Sequence, residues 1–538
     1  MTSVCNEEDD ISAETDQFGF PSLLCFVRCL NTDNHIMPNE RENIIKQLST
    51  RSAKHEPLLR HSIFKNHPPY INFYKTEKKG LCSGAIQLIS NWFRVKAVNG
   101  EVFGANILRT NEYKTLTYWQ KVNHFPGDFH IGRKDRLWEH LREMSKHFNV
   151  MFFQKDYNQL DTYLASTKKH VIIKPPASAR GRGITIINKM DDIPTEEQVI
   201  AQHYVENPLL INGSKFDLRI YVYVSNLNPL LVYIYETGLV RFASLPYDSN
   251  NYNNQFMHLT NFSINKLAKK NGVTDVDISR LKWPLSTFWE FVREQGRDPT
   301  DLWKKIKDVA VKAVISTASA MLKQQATVCP FSFLNREVFG MDILIDDDFK
   351  PWILEMNISP SMQTVTEEDT KVKAPLVQNI LNMWRMEFVH KNDVESVDLS
   401  YRCKPIELHK SAIHIKKETE NLEFYAKTGK ICPSILSNLT DADLRYLMDF
   451  EDEFALREDF ELIYPATNTV AEYLPCTEPT YASLLLIAWI SLSKSEREVG
   501  LERLKTAAEK GEHLSQEGFI EDDESVAEDQ KLSNYASI

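Results

Sequence analysis

The 538-residue chain lacks any apolar run long enough to cross a bilayer. Its best stretch, Leu484 to Ile490, falls far short of the roughly 18–20 residues required, so no membrane partner is expected. No secretory leader is expected either, because the apolar stretch Leu23–Val27 follows an acidic start where a signal peptide has a basic one. The eight cysteines contain no CxxC pair. Cys25 and Cys29 stand four apart with only His35 near them, and no second ligand pair completes a zinc site. They read as reduced thiols of a cytosolic protein. With 18 Gly, 42% hydrophobic and 25% charged residues, the composition excludes collagen, wholesale disorder and a disulfide miniprotein.

The net charge of −11 is unevenly placed. Residues 1–16 carry six acids and residues 517–530 carry seven, with no Lys or Arg in either stretch. Without those thirteen, 61 acids face 63 bases, a body at +2. The acidity belongs to the tails, which read as solvated, or as competitors for a basic site on the body. A balanced body argues against nucleic acid as a partner, since phosphates call for a basic domain.

The length predicts three or four folding units. Residues 1–55 read as an acidic, disordered leader and 56–165 as a small mixed α/β unit. The turn-rich stretch "NHFPGDFHIGRKD" (123–135) leads into a helix, Arg136–Phe148, with Leu137, Leu141, Met144 and Phe148 at helical spacing. From 166 to 260 the period is two, with strands expected at Val171–Lys174, Ile184–Ile187, Phe216–Val224 and Leu230–Glu236. From 261 to 390 helical spacing returns (Leu302, Ile306, Val309, Ala313), and a strand pair, Val338–Asp346 and Pro351–Asn357, closes the block. Residues 391–510 read as a helical, basic extension, with Thr440 and Asp443 forming a capping box. Residues 511–538 form the acidic tail.

Four constellations carry chemistry. In "VIIKPPASARGRGITII" a strand ends at Lys174, a loop holds Arg180, Gly181, Arg182 and Gly183, and a second strand follows. Glycines let backbone amides approach a phosphate, and the cations add charge. A P-loop would open a helix, whereas this loop opens a strand, which suggests a hairpin lid over nucleotide phosphates. Alone, it reads more readily as a glycine-bearing turn with no ligand. In "GSKFDLRIYVYV" alternation puts Lys215, Asp217 and Arg219 on one face and Phe216, Leu218, Ile220 and Val222 on the other. A solvated surface explains three alternating charges equally well.

Arg241 of "GLVRFA" stands in a short apolar strand after a Glu236–Gly238 turn, where a charge is costly unless paired with an anion. In "FGMDILIDDDFKPWILEMNISPS" two strands meet at an Asp347–Lys350 turn. Counting outward places Asp342 opposite Glu355, with Asn357 on the same face. Hard oxygen ligands in apolar strands suit Mg²⁺, which shares phosphate oxygens. The bland alternative is a pair of exposed polar edge positions.

In this order, across roughly residues 65–390, "KPPASARGRGI", "SKFDLRIYV", "GLVRFA", "HLTN" and "EMNISPS" resemble the ATP-grasp ligases, and most closely the tubulin tyrosine ligase-like family. "NHFPGDFHIGRKDRLW", the Ser-Ala-Arg before Gly181 and "FEDEF…FELIYP" look most like the glutamylases that start side chains on β-tubulin. The resemblance implies an α/β (α+β) ATP-grasp fold with N-terminal, central and C-terminal subdomains and a helical C-terminal extension. It implies ATP held by Lys174, the 180–183 loop, Gln202, His203, Tyr204, Val205, Lys215, Phe216, Asp217, Thr260 and Asn261, and Mg²⁺ held by Asp342, Glu355 and Asn357. Arg241 would stabilise an oxyanion at the reacting centre, with Glu355 and Asn357 catalytic through the metal. Phe262, Ser263, Lys282 and Lys373 would grip the incoming amino acid. Phe262 departs from the family, where a Tyr often follows "LTN".

The implied reaction joins free L-glutamate to γ-carboxylates of glutamates in tubulin C-terminal tails through an acyl phosphate. The implied setting is a cytoplasmic monomer on microtubules, in a cilium, axoneme or basal body. Glycine as donor stays open, because glutamate needs cations for two carboxylates and glycine for one. A non-catalytic microtubule-binding homologue is the other alternative. The basic stretch "RCKPIELHKSAIHIKKE" (402–418) reads as a grip for acidic tails or as a solvated linker helix.

Overall fold

The computed structural model describes residues 59–60, 70–71, 102–103, 110–114, 116, 121–148, 157–167, 169–176, 181–193, 199–273, 278–362, 364–384 and 410–513. The acidic leader, most of the acidic tail, Arg180 and the basic residues Arg402 and Lys404 lie outside the described residues.

Helix α1 (Lys134–Phe148) and helix α2 (Tyr157–Thr167) precede a three-stranded antiparallel sheet. Its strands are β1 (Val171–Lys174), β2 (Thr185–Ile187) and β3 (Ile200–His203), with β1 in the middle. The β1–β2 connection is the hairpin anticipated from sequence, and Gly181 and Gly183 take φ of 74° and 67° in it, a region that favours glycine.

The larger sheet has seven strands. After β4 (Leu210–Ile211) come the long β5 (Ser214–Leu227) and β6 (Leu230–Phe242). Helix α3 (Phe262–Lys270), the short β7 (Lys282–Pro284), helix α4 (Leu285–Glu294) and helix α5 (Pro299–Val328) follow. The hairpin β8 (Glu337–Ile345) and β9 (Pro351–Asn357) completes the order β7-β6-β5-β8-β9, all antiparallel. "GLVRFA" is not a separate strand. It is the second half of β6, whose pairing slips between Ile234 and Gly238 without breaking the strand. A side chain at 238 would put its Cβ 2.5 Å from the Arg219 carbonyl oxygen, so glycine is what lets the two backbones close up.

Alternation along β5 decides what covers each face. Phe216, Leu218, Ile220, Val222 and Val224 pack with Val232, Ile234 and Val240 of β6 against Phe288 of α4 and Leu302, Ile306 and Ala313 of α5. On the opposite face Tyr221, Tyr223, Tyr233 and Tyr235 are buried under helix α6 (Glu367–Met383) and the C-terminal helices. Those are α7 (Ala412–Thr428), α8 (Asp441–Ala455), α9 (Tyr481–Ile490) and α10 (Lys494–Glu509). Lys215, Asp217 and Arg219 share that second face, so their row begins where the tyrosine row ends.

The C-terminal region is helical as its pattern suggests, with one exception. Strand β10 (Phe460–Tyr464) pairs with Val232–Tyr235 of β6 and joins the large sheet. Thr440 and Asp443 make the capping box at the start of α8. Asp443 also accepts from Lys417 Nζ (2.7 Å) and Tyr481 Oη (2.8 Å), which ties α7, α8 and α9 together. Lys410 pairs with Glu418 at 2.7 Å, so two basic residues of the 402–418 stretch are spent on internal partners.

Phe288 is fully buried and stacks beside Phe216 with ring centres 5.5 Å apart. Phe288→Ala is expected to destabilise the protein by about 3–5 kcal/mol, through lost transfer energy and the cavity left behind. Chemical denaturation should show a lowered midpoint with an unchanged slope.

Candidate active site

The two sheets face each other across a cleft of about 1150 Å³. Lys174, Gly181, Arg182, Gln202, His203, Tyr204 and Val205 line it from the small sheet, and Lys215, Asp217, Thr260, Asn261, Asp342 and Glu355 line it from the large one. Phe216 borders the cleft, but its ring lies in the apolar core against Phe242 and Phe288, on the face of β5 opposite Asp217. Gly183 is exposed at the hairpin end.

The carboxylate side is built on strand register. Asp342 stands opposite Glu355, and Asn357 opposite Gly340. The turn is tighter than the sequence suggested. Asp346 Oδ1 accepts from the backbone N–H groups of Asp348 (3.1 Å) and Lys350 (2.8 Å), and Phe349 takes φ of 59°. This shifts the ladder by one residue, and a compensating irregularity between Asp342 and Ile343 shifts it back. Asn357 Nδ2 lies 3.4 Å from Asp342 Oδ2 and 3.3 Å from Glu355 Oε1, so the three side chains converge. Asp342 is 1% exposed, and Glu355 and Asn357, though on the edge strand β9, are half-buried rather than exposed.

A row of directly opposed charges crosses the sheet. Arg241 of β6 faces Asp217 of β5, and Arg219 of β5 faces Asp342 of β8. Arg241 donates to Asp217 twice (2.7 and 2.5 Å), Arg219 donates to Asp342 twice (2.5 and 3.0 Å), and Arg241 also reaches Asp342 at 2.7 Å. Thr260 Oγ1 donates to Asp217 at 2.7 Å. The alternating charges of β5 are therefore buried and paired, not a solvated surface. Burial works to raise the Asp342 carboxyl, but Arg219 and Arg241 outweigh it and hold the group below the ordinary carboxylate range. Removing either carboxylate would strand a buried guanidinium.

The lysines are poised differently. Lys174 Nζ donates to Gln202 Oε1 at 2.8 Å, and burial lowers it to about 8. Lys215 Nζ donates to Tyr204 Oη at 2.9 Å, and burial, reinforced by Lys174, lowers it to about 7. Among the described residues neither has a carboxylate in direct contact, and an anionic ligand would relieve the cost of burying them.

Lys282 is paired with Arg241 across β7 and β6 in the ladder. Lys282 Nζ and Lys373 Nζ share one buried carboxylate, Asp369, at 2.6 and 2.9 Å. Both lysines are buried rather than plain surface, and burial lowers Lys373 to about 8. Lys282 Nζ also lies 4.4 Å from the centre of the Phe262 ring, at the start of α3, where Ser263 follows and Asn261 is the N-cap.

Three contributors were not singled out from sequence. Lys134, at the first position of α1, reaches Glu355 Oε2 at 2.8 Å. Its signal was the basic "GRKD" turn. Arg219 was placed on the charged face but given no role, and Asp369 had only its helix-start position in α6 as a hint.

Two antiparallel sheets clasping a cleft, with Lys174 and Arg182 on one side and Lys215 beside the carboxylates on the other, define a ligase of the ATP-grasp class. Residues 111–395 match the model of the tubulin-tyrosine ligase family, and the chain belongs to that family. It is 38% identical to tubulin polyglutamylase ttll-4 of Caenorhabditis briggsae, over 85% of this chain and 82% of that protein. It is 41% identical to tubulin polyglutamylase ttll-4 of Caenorhabditis elegans, over 74% of this chain and 68% of that protein. It is 32% identical to human tubulin monoglutamylase TTLL4, over 88% of this chain but only 43% of that protein.

The depressed Lys215 fixes a pH dependence. Its folded value of about 7 lies below the ordinary 10.5, so the folded state releases this proton first. The cost of burying the ammonium is then greatest below pH 7 and fades as the pH rises toward 10.5. Lys215→Met is expected to raise the melting temperature of the ligand-free protein most at pH 6.5 and progressively less at pH 8 and 9. A gain that is constant with pH would show that Lys215 is not buried as a cation.

Proposed function

We propose that this chain is an ATP-dependent tubulin glutamylase, which joins L-glutamate by isopeptide bonds to glutamate side chains in tubulin C-terminal tails. The observation that carries the reading is a single cleft, in a chain of this family, where buried lysines face a converging carboxylate pair. Lys174, Lys215 and Arg182 supply positive charge for the phosphates of ATP, and the Gln202–Val205 segment supplies its adenine-side wall.

Asp342, Glu355 and Asn357 fit a magnesium ion. They offer hard oxygens, and the Asn357 amide already bridges both carboxylates. A carboxylate has about four lone-pair positions. On Asp342, Oδ2 is met by Arg219, Arg241 and Asn357, while Oδ1 accepts only from Arg219 and keeps one position. When bound there, Mg²⁺ would neutralise charge on the phosphate oxygens.

In the first step an acceptor γ-carboxylate attacks the γ-phosphorus of ATP, giving an acyl phosphate and ADP. The amine of free glutamate then attacks the acyl carbon, phosphate leaves, and the amine proton is released. Arg241, buried beside Asp217 and Asp342, places a fixed positive charge at this end of the cleft for the oxyanion of the second step. Lys282 and Lys373, with a single carboxylate between them, suit the carboxylates of the incoming glutamate. β-Tubulin as acceptor, side-chain initiation, a monomeric state and a site of action on cytoplasmic or ciliary microtubules belong to the same reading.

The test is intact-mass spectrometry of unmodified tubulin incubated with the protein, Mg·ATP and equimolar glutamate and glycine. Glutamate-sized additions are expected. Glycine-sized additions would overturn the donor, and no addition to tubulin would leave a binding protein. Glu355→Gln should lower ligation by at least about 100-fold with an unchanged circular dichroism spectrum. A folded Glu355→Gln protein that retains activity would refute the metal assignment.

A further inference from the structure

A second cluster of ligand-type side chains lies apart from the carboxylates of the cleft. His124 and Asp128 stand four residues apart in the turn-rich stretch before α1, and Glu337 opens β8. All three are 1% exposed. His124 Nδ1 lies 2.9 Å from Glu337 Oε1 and 3.3 Å from Asp128 Oδ2, and one ligand atom from each residue falls within 4.8 Å of the others.

Asp128 is the observation that needs an explanation. It occupies the N-cap of the one-turn helix Phe129–Gly132, yet its side chain makes no capping bond. Its Oδ1 is buried with no partner, its Oδ2 has only the 3.3 Å contact to His124, and His124 Nε2 is buried without a hydrogen bond. A buried carboxylate left like this costs free energy unless something else neutralises it. Among the described residues the only cationic partner of either carboxylate is His124.

The geometry points to a divalent-metal site of the zinc class at His124, Asp128 and Glu337, which fastens the 121–132 segment to the start of β8. Zinc bonds of about 2.0–2.1 Å in tetrahedral geometry put neighbouring ligand atoms about 3.3 Å apart, close to the spacings here. One imidazole and two carboxylates are a ligand set zinc accepts, and a dication supplies positive charge to the two buried carboxylates. The surrounding contacts hold the ligands in place. Phe125 N–H donates to Glu337 Oε2 at 2.9 Å, Asn335 Nδ2 donates to the His124 carbonyl at 2.8 Å, and Arg336 N–H donates to the Val122 carbonyl at 3.0 Å. The fastened segment runs directly into Lys134, which meets Glu355 in the cleft. The ion is structural: it holds the root of α1 and takes no part in ligation.

The experiment treats the full chain with a chelator at pH 7, adds Zn²⁺, removes unbound metal by gel filtration, and counts the metal by plasma mass spectrometry. About one zinc per chain is expected in the wild type, with a raised melting temperature. The stoichiometry should persist in Glu355→Gln, which removes a carboxylate of the cleft, and be lost in Asp128→Asn and His124→Gln. Co²⁺ in place of zinc should give a visible d–d band with no thiolate charge-transfer band. Fewer than about 0.1 zinc per folded wild-type chain would overturn the site. So would a thiolate band, or zinc retained in full by a folded Asp128→Asn. If neither cluster variant folds, the wild type, Glu355→Gln and the Co²⁺ spectrum decide the question alone.

Discussion

Two guanidiniums and two carboxylates, buried side by side on three adjacent strands, are the constraint around which the rest is arranged. Arg241, Asp217, Arg219 and Asp342 neutralise one another only if β6, β5 and β8 keep their register, because each main contact joins residues directly opposed in the ladder. A slip of one residue would turn each charge to the other face of its strand. There the charges would meet the apolar packing of Phe216, Leu218 and Ile220 against α4 and α5. Such a quartet adds little net stability over an apolar alternative, but it makes wrong registers expensive.

The same strand serves two purposes along one face. The first half of that face of β5 carries Lys215 and Asp217 at the cleft with Arg219 next in the row, and the second half carries Tyr221 and Tyr223 under the C-terminal helices. The helical region is therefore part of the support for the site. Ser225 at the end of β5 donates to Glu453 of α8 at 2.6 Å, and Arg336 beside β8 lies 3.4 Å from the same carboxylate. Movements of α8 are thereby coupled mechanically to the strands that present Arg219 and Asp342.

Much of this was legible in the sequence, and the reasons differ by residue. The Asp342–Glu355 pairing followed from counting outward from a turn. That count succeeded because the tighter turn and the irregularity after Asp342 shift the register by one residue in opposite senses. Alternation correctly put Lys215, Asp217 and Arg219 on one face, and the expense of a charge in an apolar strand correctly demanded an anion for Arg241. Which anion was not legible, because partners on neighbouring strands are set by long-range pairing that no local period encodes. Lys134 was hidden for the same reason: its partner, Glu355, lies more than two hundred positions further along the chain. Strand β10 was missed because five residues within a helical stretch carry too weak a period, and only the open edge of β6 makes a strand of them.

That last strand has a consequence for how the molecule is made. The half of β6 at Val232–Tyr235 finds its outer neighbour only in Phe460–Tyr464. Synthesis runs from the N-terminus, so every residue of the cleft leaves the ribosome while this edge still shows unpaired backbone groups and the rings of Tyr233 and Tyr235 still lack their cover. Until the final stretch arrives, the nascent chain presents an adhesive sheet margin to its surroundings.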